Sequence, residues 1–174
     1  RPPVAGPDGS SVDYGFVGDI ESVNADVIRK QIDNGLMPVV SPLSCDETGT
    51  LLNINADTVA AAIAAELQAE KLIIATGAPG ILRDKDDPDS LISYVDRKGL
   101  ADLRANGQLA DGMLPKAAAI ETAIRDGVRR VHVISYKNPD SLLLEVFTNE
   151  GTGTLIVDDI AKLSPAEQAS AGFV

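Results

Sequence analysis

Leu52-Asn53-Ile54-Asn55-Ala56-Asp57, running straight into the alanine-rich segment 58–67, decides how this chain is read. Asn53 and Asn55 alternate with apolar neighbours, as in a short strand. From position 58 the composition favours a helix, and Val59, Ala60, Ile63, Ala64 and Leu67 recur at helical spacing, so one face is buried. Asn55 or Asp57 can cap the first turn, where free backbone N–H groups favour negative charge. A cap accounts for one of the three polar side chains. The pattern therefore admits two readings: an Asx-rich loop entering a helix, or a polar cluster at a strand-to-helix junction built to receive an anion.

The chain has 174 residues, enough for one domain or a large part of a bigger one. It is 44% hydrophobic but only 3% aromatic, so aliphatic side chains must form the core. A net charge of −11 argues against nucleic acid as a partner, because phosphate backbones need a basic face. No apolar run is long enough to span a bilayer, and no signal peptide is visible. The single Cys45 cannot form an internal disulfide; this fits a reducing cytoplasm and predicts a small buried residue. Residues 1–12 are Pro/Gly-rich and lack an initiator Met, which predicts a flexible lead or hairpin arm on a chain that begins mid-protein.

The remaining pattern predicts strands alternating with helices. Residues 14–23 alternate around Gly15 and Gly18 as a strand or hairpin, and Asn24 caps a helix through Ile32 that stops before Gly35. Met37-Pro38-Val39-Val40 reads as a short buried strand, and Asp46-Glu47-Thr48-Gly49 as a turn. A strand over 71–76 leads into a loop at Gly77-Ala78-Pro79-Gly80, and 83–90 is charged and exposed. Residues 94–106 are mostly helical, stopped by Gly107, and a helix with Pro115 in its first turn runs through Arg125. Val131-His132-Val133-Ile134 is a core strand, 141–147 a helix, Gly151-Thr152-Gly153-Thr154 a loop, and Leu155-Ile156-Val157 the last strand. The tail 158–174 reads as frayed. Together these elements imply an α/β fold with a mainly parallel sheet.

Neither of the two glycine-rich phosphate-loop patterns is present, nor is a zinc pattern, so no metal ligand is assigned. His132, the only histidine, lies inside an apolar strand and reads as a packed or hydrogen-bonded residue rather than a catalyst. Lys116 opens a helix at a loop exit. By itself that is an ordinary surface lysine, but next to a second loop after a core strand it suits phosphoryl transfer, which needs positioned positive charge. Gly77 and Gly80 either let a nucleotide approach the backbone or simply turn the chain.

Five motifs stand in order: Gly15-Phe16-Val17-Gly18, Asn53-Ile54-Asn55-Ala56-Asp57, Gly80-Ile81-Leu82, Asp111-Gly112-Met113-Leu114-Pro115-Lys116, and Phe147-Thr148 with Gly151-Thr152-Gly153-Thr154. From 13 to 157 they resemble the N-acetylglutamate kinases of the amino acid kinase superfamily. The resemblance implies an αβα sandwich, with the end of an amino acid-binding portion joined to an ATP-binding portion. It also implies that Lys116 stabilises the transferring phosphoryl group and that Asp57 orients catalytic lysines. Asn53 and Asn55 would serve the substrate, N-acetyl-L-glutamate. Gly77, Ala78, Pro79, Gly80, Ile81 and Leu82, with Gln108, Leu109 and Ala110, would wall the nucleotide site. ATP with Mg²⁺ is the implied cofactor, the magnesium held mostly by phosphate oxygens and water.

Two departures stand out. The family usually has aspartate where this chain has Gly77. Its N-terminal lysine strand and paired glycines have no counterpart, since no Gly-Gly dipeptide occurs here. The resemblance therefore implies a fold lacking its N-terminal part, inactive in this form and a homo-oligomer when complete. The whole enzyme would act in arginine biosynthesis in the cytoplasm. An acylated aminoadipate kinase of lysine biosynthesis and a non-catalytic nucleotide- or amino acid-binding module are the alternatives. Arginine sensitivity is not legible.

Overall fold

The computed structural model describes residues 3–5, 9–84, 86–87, 89–147 and 151–162. Its centre is a sheet of four strands, β5 (Lys71–Thr76), β6 (Tyr94–Asp96), β7 (Arg130–Ser135) and β8 (Thr154–Val157), in the spatial order β5-β7-β8-β6. The pairs β5/β7 and β6/β8 are parallel, and β7/β8 between them is antiparallel. The sheet is thus mainly parallel with one antiparallel join.

Register sorts the side chains between two faces. Leu72 lies beside Val131, Val131 beside Ile156, and Ile156 beside Val95, so these four share one face. They form the core with α2 (Ala56–Leu67), α3 (Arg97–Ala105) and α4 (Leu114–Arg125). Ala61, Ala64, Ala117 and Ala123 belong to that core, and such small residues let α2 and α4 pack closely. Ile73, His132, Leu155 and Tyr94 lie on the opposite face, where α5 (Ser141–Phe147) packs on β7. Helices on both faces give the αβα sandwich.

On that second face His132 and Glu145 are both buried, at 6% exposure each. They lie 2.6 Å apart, Nδ1 to Oε1. A carboxylate only accepts, so the His132 Nδ1 carries the proton and donates. The other oxygen, Oε2, accepts from the Thr152 amide at 2.8 Å. His132 is thus a hydrogen-bonded core residue, as its strand position implies. Burial alone would raise the Glu145 carboxyl, but the bonds from His132 and Thr152 outweigh it and hold it below its ordinary 4.5. A depressed carboxylate contributes stability that is complete above its unfolded value and lost as pH falls through the folded one. Unfolding free energy measured from pH 7 to 3 is therefore expected to fall more steeply below about 4.5 in the native chain than in Glu145→Gln.

Several sequence expectations change. Segment 14–23 makes no strand among the described residues; it contributes only a parallel bridge from Val17 to Asn53. Met37, Val39 and Val40 are exposed and outside any strand, because Pro38 lacks an amide to donate and no described strand pairs with them. The strand in this region is β3 (Leu43–Cys45), hairpinned to β4 (Leu51–Asn53) through a turn in which Asp46 accepts from the amides of Thr48 and Thr50. Cys45 is consequently exposed on that hairpin, not buried. Tyr94-Val95-Asp96 is strand rather than helix: it pairs with β8, and Asp96 then caps α3 by accepting from the Gly99 amide.

Asn24 occupies the N-cap of α1 (Ala25–Asp33) but makes no side-chain capping bond. The N-terminal lead is a hairpin arm, with β1 (Val4–Ala5) antiparallel to β2 (Ser11–Val12). Of the tail, Asp158 pairs with Arg97 at 2.9 Å and 160–162 form a 3₁₀ turn; 163–174 lie outside the described residues, as do Thr148, Lys85 and Pro88.

Two glycines fix how strands and loops meet. A Cβ on Gly153 would run into the Val133 carbonyl, so β8 can enter beside β7 only with glycine there. A Cβ on Gly80 would lie 2.7 Å from the Thr154 Oγ1. That hydroxyl accepts from the Ile81 amide at 2.8 Å, tying the loop after β5 to the start of β8.

Candidate active site

Connectivity gathers the candidate residues at one sheet edge. α2 ends at Leu67 and β5 begins at Lys71; α4 ends at Arg125 and β7 begins at Arg130. With such short returns each helix runs antiparallel to the strand it feeds. The starts of α2 and α4 therefore lie at the carboxyl ends of β5 and β7, where the 77–82 loop also leaves the sheet.

At the start of α2 the three polar residues divide their roles. Asn55 is the N-cap, and its Oδ1 accepts from the amides of Asp57 and Thr58 at 2.9 and 3.1 Å. With the cap supplied, the Asp57 carboxylate is free to face α4. Both its oxygens accept from the Lys116 Nζ, each at 2.9 Å, across 59 positions of sequence. The side chains are 22% (Lys116) and 17% (Asp57) exposed, enough to leave the ammonium reachable. Asn53 ends β4 and is exposed; its amide donates to the Phe16 carbonyl, and its carbonyl accepts from the Gly18 amide. The first two motifs thus meet there. Asn55→Ala should cost about 1 kcal/mol and lower the melting temperature by roughly 2–4 °C, measured by circular dichroism, without separating Asp57 from Lys116.

The proposed nucleotide walls are mixed in character. Gly77, Ala78 and Pro79 are partly exposed in the loop, Gly80 is buried, and Leu82 is half-buried. Ile81 and Leu109 point into the core with 0% and 6% exposure, so only their backbones can face a ligand. Gln108 and Ala110 are exposed, just before the 3₁₀ turn Asp111–Met113 that leads into α4.

A cleft of about 870 Å³ runs between 19–23, α2 and α4, reaching the site at Asn55, Thr58 and Pro115. Among the described residues it is lined by Asp19, Glu21, Glu66 and Asp126 and by no lysine or arginine, which is the wrong charge for an anionic ligand. The positive group lies at the helix starts instead. Among the described residues no cluster of three or more potential metal ligands occurs.

A layered α/β domain that brings two helix starts, an ammonium–carboxylate pair and a glycine loop to one strand edge has the layout of a nucleotide-handling protein. The chain belongs to the amino acid kinase family, whose profile matches residues 2–135. It is 47% identical over 145 residues to an acetylglutamate kinase of Archaeoglobus fulgidus, covering 83% of this chain and 50% of that protein. An acetylglutamate kinase of Myxococcus xanthus is 45% identical over 167 residues, covering 93% of this chain and 54% of the relative. The chain thus spans about half the length of the curated relatives it matches.

Among solved structures, N-acetylglutamate synthase from Neisseria gonorrhoeae, complexed with coenzyme A and L-arginine, aligns with a TM-score of 0.77 and 30% identity. That alignment covers 90% of this chain and 35% of the synthase. Carbamate kinase from Giardia lamblia bound to AMP-PNP aligns with a TM-score of 0.61 and 23% identity over 79% of this chain and 45% of that one, and so shares the fold.

Proposed function

We propose that this chain is the phosphoryl-transfer portion of an acetylglutamate kinase, which moves the γ-phosphoryl group of ATP onto the side-chain carboxylate of N-acetyl-L-glutamate. The observation that carries the reading is the Asp57–Lys116 pair, made by residues 59 positions apart at two helix starts. Phosphoryl transfer spreads charge over the moving oxygens, so a pre-aimed ammonium stabilises the transition state more than the ground state. Asp57 holds that ammonium in place with two hydrogen bonds. Asn53, exposed at the end of β4 four residues before Asp57, would donate an amide hydrogen bond to the acceptor substrate. A nucleotide bound here would bring its own magnesium, which would be held by phosphate oxygens and water and would neutralise phosphate charge. The 47% identity to a named kinase, against 30% to a synthase, favours the kinase reading. The parent enzyme is read as a cytoplasmic homo-oligomer serving arginine biosynthesis; no described helix is long and apolar enough to cross a membrane.

The test traps acyl phosphate as its hydroxamate, in a mixture of Mg-ATP and N-acetyl-L-glutamate. It compares this chain with a version joined to the remaining half of the Archaeoglobus relative. The joined protein should turn over near the common enzyme rate of about 10 s⁻¹, and the 174-residue chain far below it. A joined, folded protein that forms no acyl phosphate would overturn the proposal.

A further inference from the structure

The carboxyl ends of β5 and β7 carry two side chains that the reading above does not use. Thr76 pairs with Ser135 at the end of the parallel ladder, and the next amide, that of Tyr136, donates to the Thr76 carbonyl at 3.0 Å. The turn after β7 and the glycine loop after β5 therefore leave the edge side by side. A Cβ placed on Gly77 would lie 3.0 Å from the Tyr136 hydroxyl oxygen and 3.8 Å from the Lys137 Cε. The Tyr136 hydroxyl thus crowds the space over Gly77 that a side chain there would claim, and the Lys137 stem lies alongside at van der Waals distance. The atom beyond Cε is the ammonium.

The turn is anchored. The Lys137 amide donates to the Ser135 Oγ at 3.2 Å, and the Ser141 Oγ donates to the Ser135 carbonyl at 2.8 Å. Ser135 and Ser141 are both buried, at 3% and 5% exposure. Among the described residues no carboxylate forms an ion pair with Lys137, although the chain carries a net charge of −11. An exposed cation alongside a backbone loop, without an acidic partner among the described residues, at the edge where α/β sheets take anions, can meet phosphate.

Building on the nucleotide reading, we infer that Lys137 binds the polyphosphate of the nucleotide as a second cation in addition to Lys116, and that Tyr136 fixes the loop beneath it by crowding the space over Gly77. Glycine at 77 and tyrosine at 136 are then one feature: the loop has no side chain there because the neighbouring turn supplies one. Lys137 is a binding residue in this scheme and Tyr136 a positioning residue.

Isothermal titration of the 174-residue chain with Mg-AMP-PNP and, separately, with adenosine tests it. Lys137→Met should weaken AMP-PNP roughly tenfold, the loss of one charge-assisted contact, and leave adenosine unchanged. Lys137→Arg should stay within about threefold of the native affinity, since it keeps the charge but not the compact point geometry. Gly77→Ala should weaken both ligands, because its methyl displaces the Tyr136 hydroxyl. The Lys137 side chain is exposed, so melting curves of the native chain and Lys137→Met should coincide. Native-like AMP-PNP affinity in Lys137→Met, or equal loss of adenosine, overturns the inference while the nucleotide reading stands. A native chain that binds no AMP-PNP overturns the nucleotide reading, and the inference with it.

Discussion

Replacing Lys116 by alanine is expected to lower kcat of the joined enzyme by about 10² to 10³, while the KM for ATP changes by less than about threefold. The asymmetry follows from where the ammonium acts. Its charge is held by two 2.9 Å bonds to Asp57, so it is in place before substrate arrives. Ground-state phosphates gain little from it beyond simple attraction. The moving phosphoryl group gains more, because negative charge shifts onto its oxygens at the moment of transfer. Stopped-flow single turnovers separate the chemical step from product release. A KM that rises as far as kcat falls would show a uniform binding contact instead.

Asp57→Asn tests the same pair from the other side. The amide keeps the shape and one accepting oxygen, but it removes the charge and one of the two bonds to Lys116. Its loss should approach that of Lys116→Ala, and the double variant should cost clearly less than the sum, because two members of one unit cannot each be lost independently. Fully additive losses would leave two separate residues and no orienting pair.

Legibility in the sequence followed the range of the forces involved. The helix over 58–67 could be read because its apolar spacing and its cap are local; the structure places α2 at Ala56–Leu67 with Asn55 as cap. β5 and β7 were likewise visible as short apolar runs between turn residues. Tyr94-Val95-Asp96 was not, since nothing local separates it from α3. Its strand identity comes from Leu155, Ile156 and Val157, some sixty positions away. Met37-Pro38-Val39-Val40 shows the converse: an apolar run is a strand only where a partner accepts its backbone. The three polar residues around α2 could be seen as too many for one cap. Asn55, the residue just before the helix, takes the cap, and the Asp57 carboxylate turns to Lys116, a partner 59 positions away.

Glu145 was the residue that pattern concealed. In Leu142-Leu143-Leu144-Glu145-Val146 a lone acid reads as the wet side of a helix, yet it is buried and Leu142 and Leu143 are 52% and 55% exposed. The inversion has a cause on the sheet: His132 occupies a buried strand position and needs an acceptor for its Nδ1 proton. Glu145→Ala is accordingly expected to be the most destabilising single change on that face. It strips the acceptor from His132, whose Nε2 has no partner among the described residues, and from the Thr152 amide at the entry to β8. Leaving a buried donor without its acceptor costs about 1–3 kcal/mol, which for a domain of this size corresponds to a melting temperature lower by roughly 2–12 °C. Glu145→Gln retains an acceptor for the His132 proton and should lose less than half as much. Calorimetric melting of the three chains at pH 7 measures both losses. If alanine and glutamine prove equally mild, the pair is an incidental contact and β8 is held by its ladders to β6 and β7.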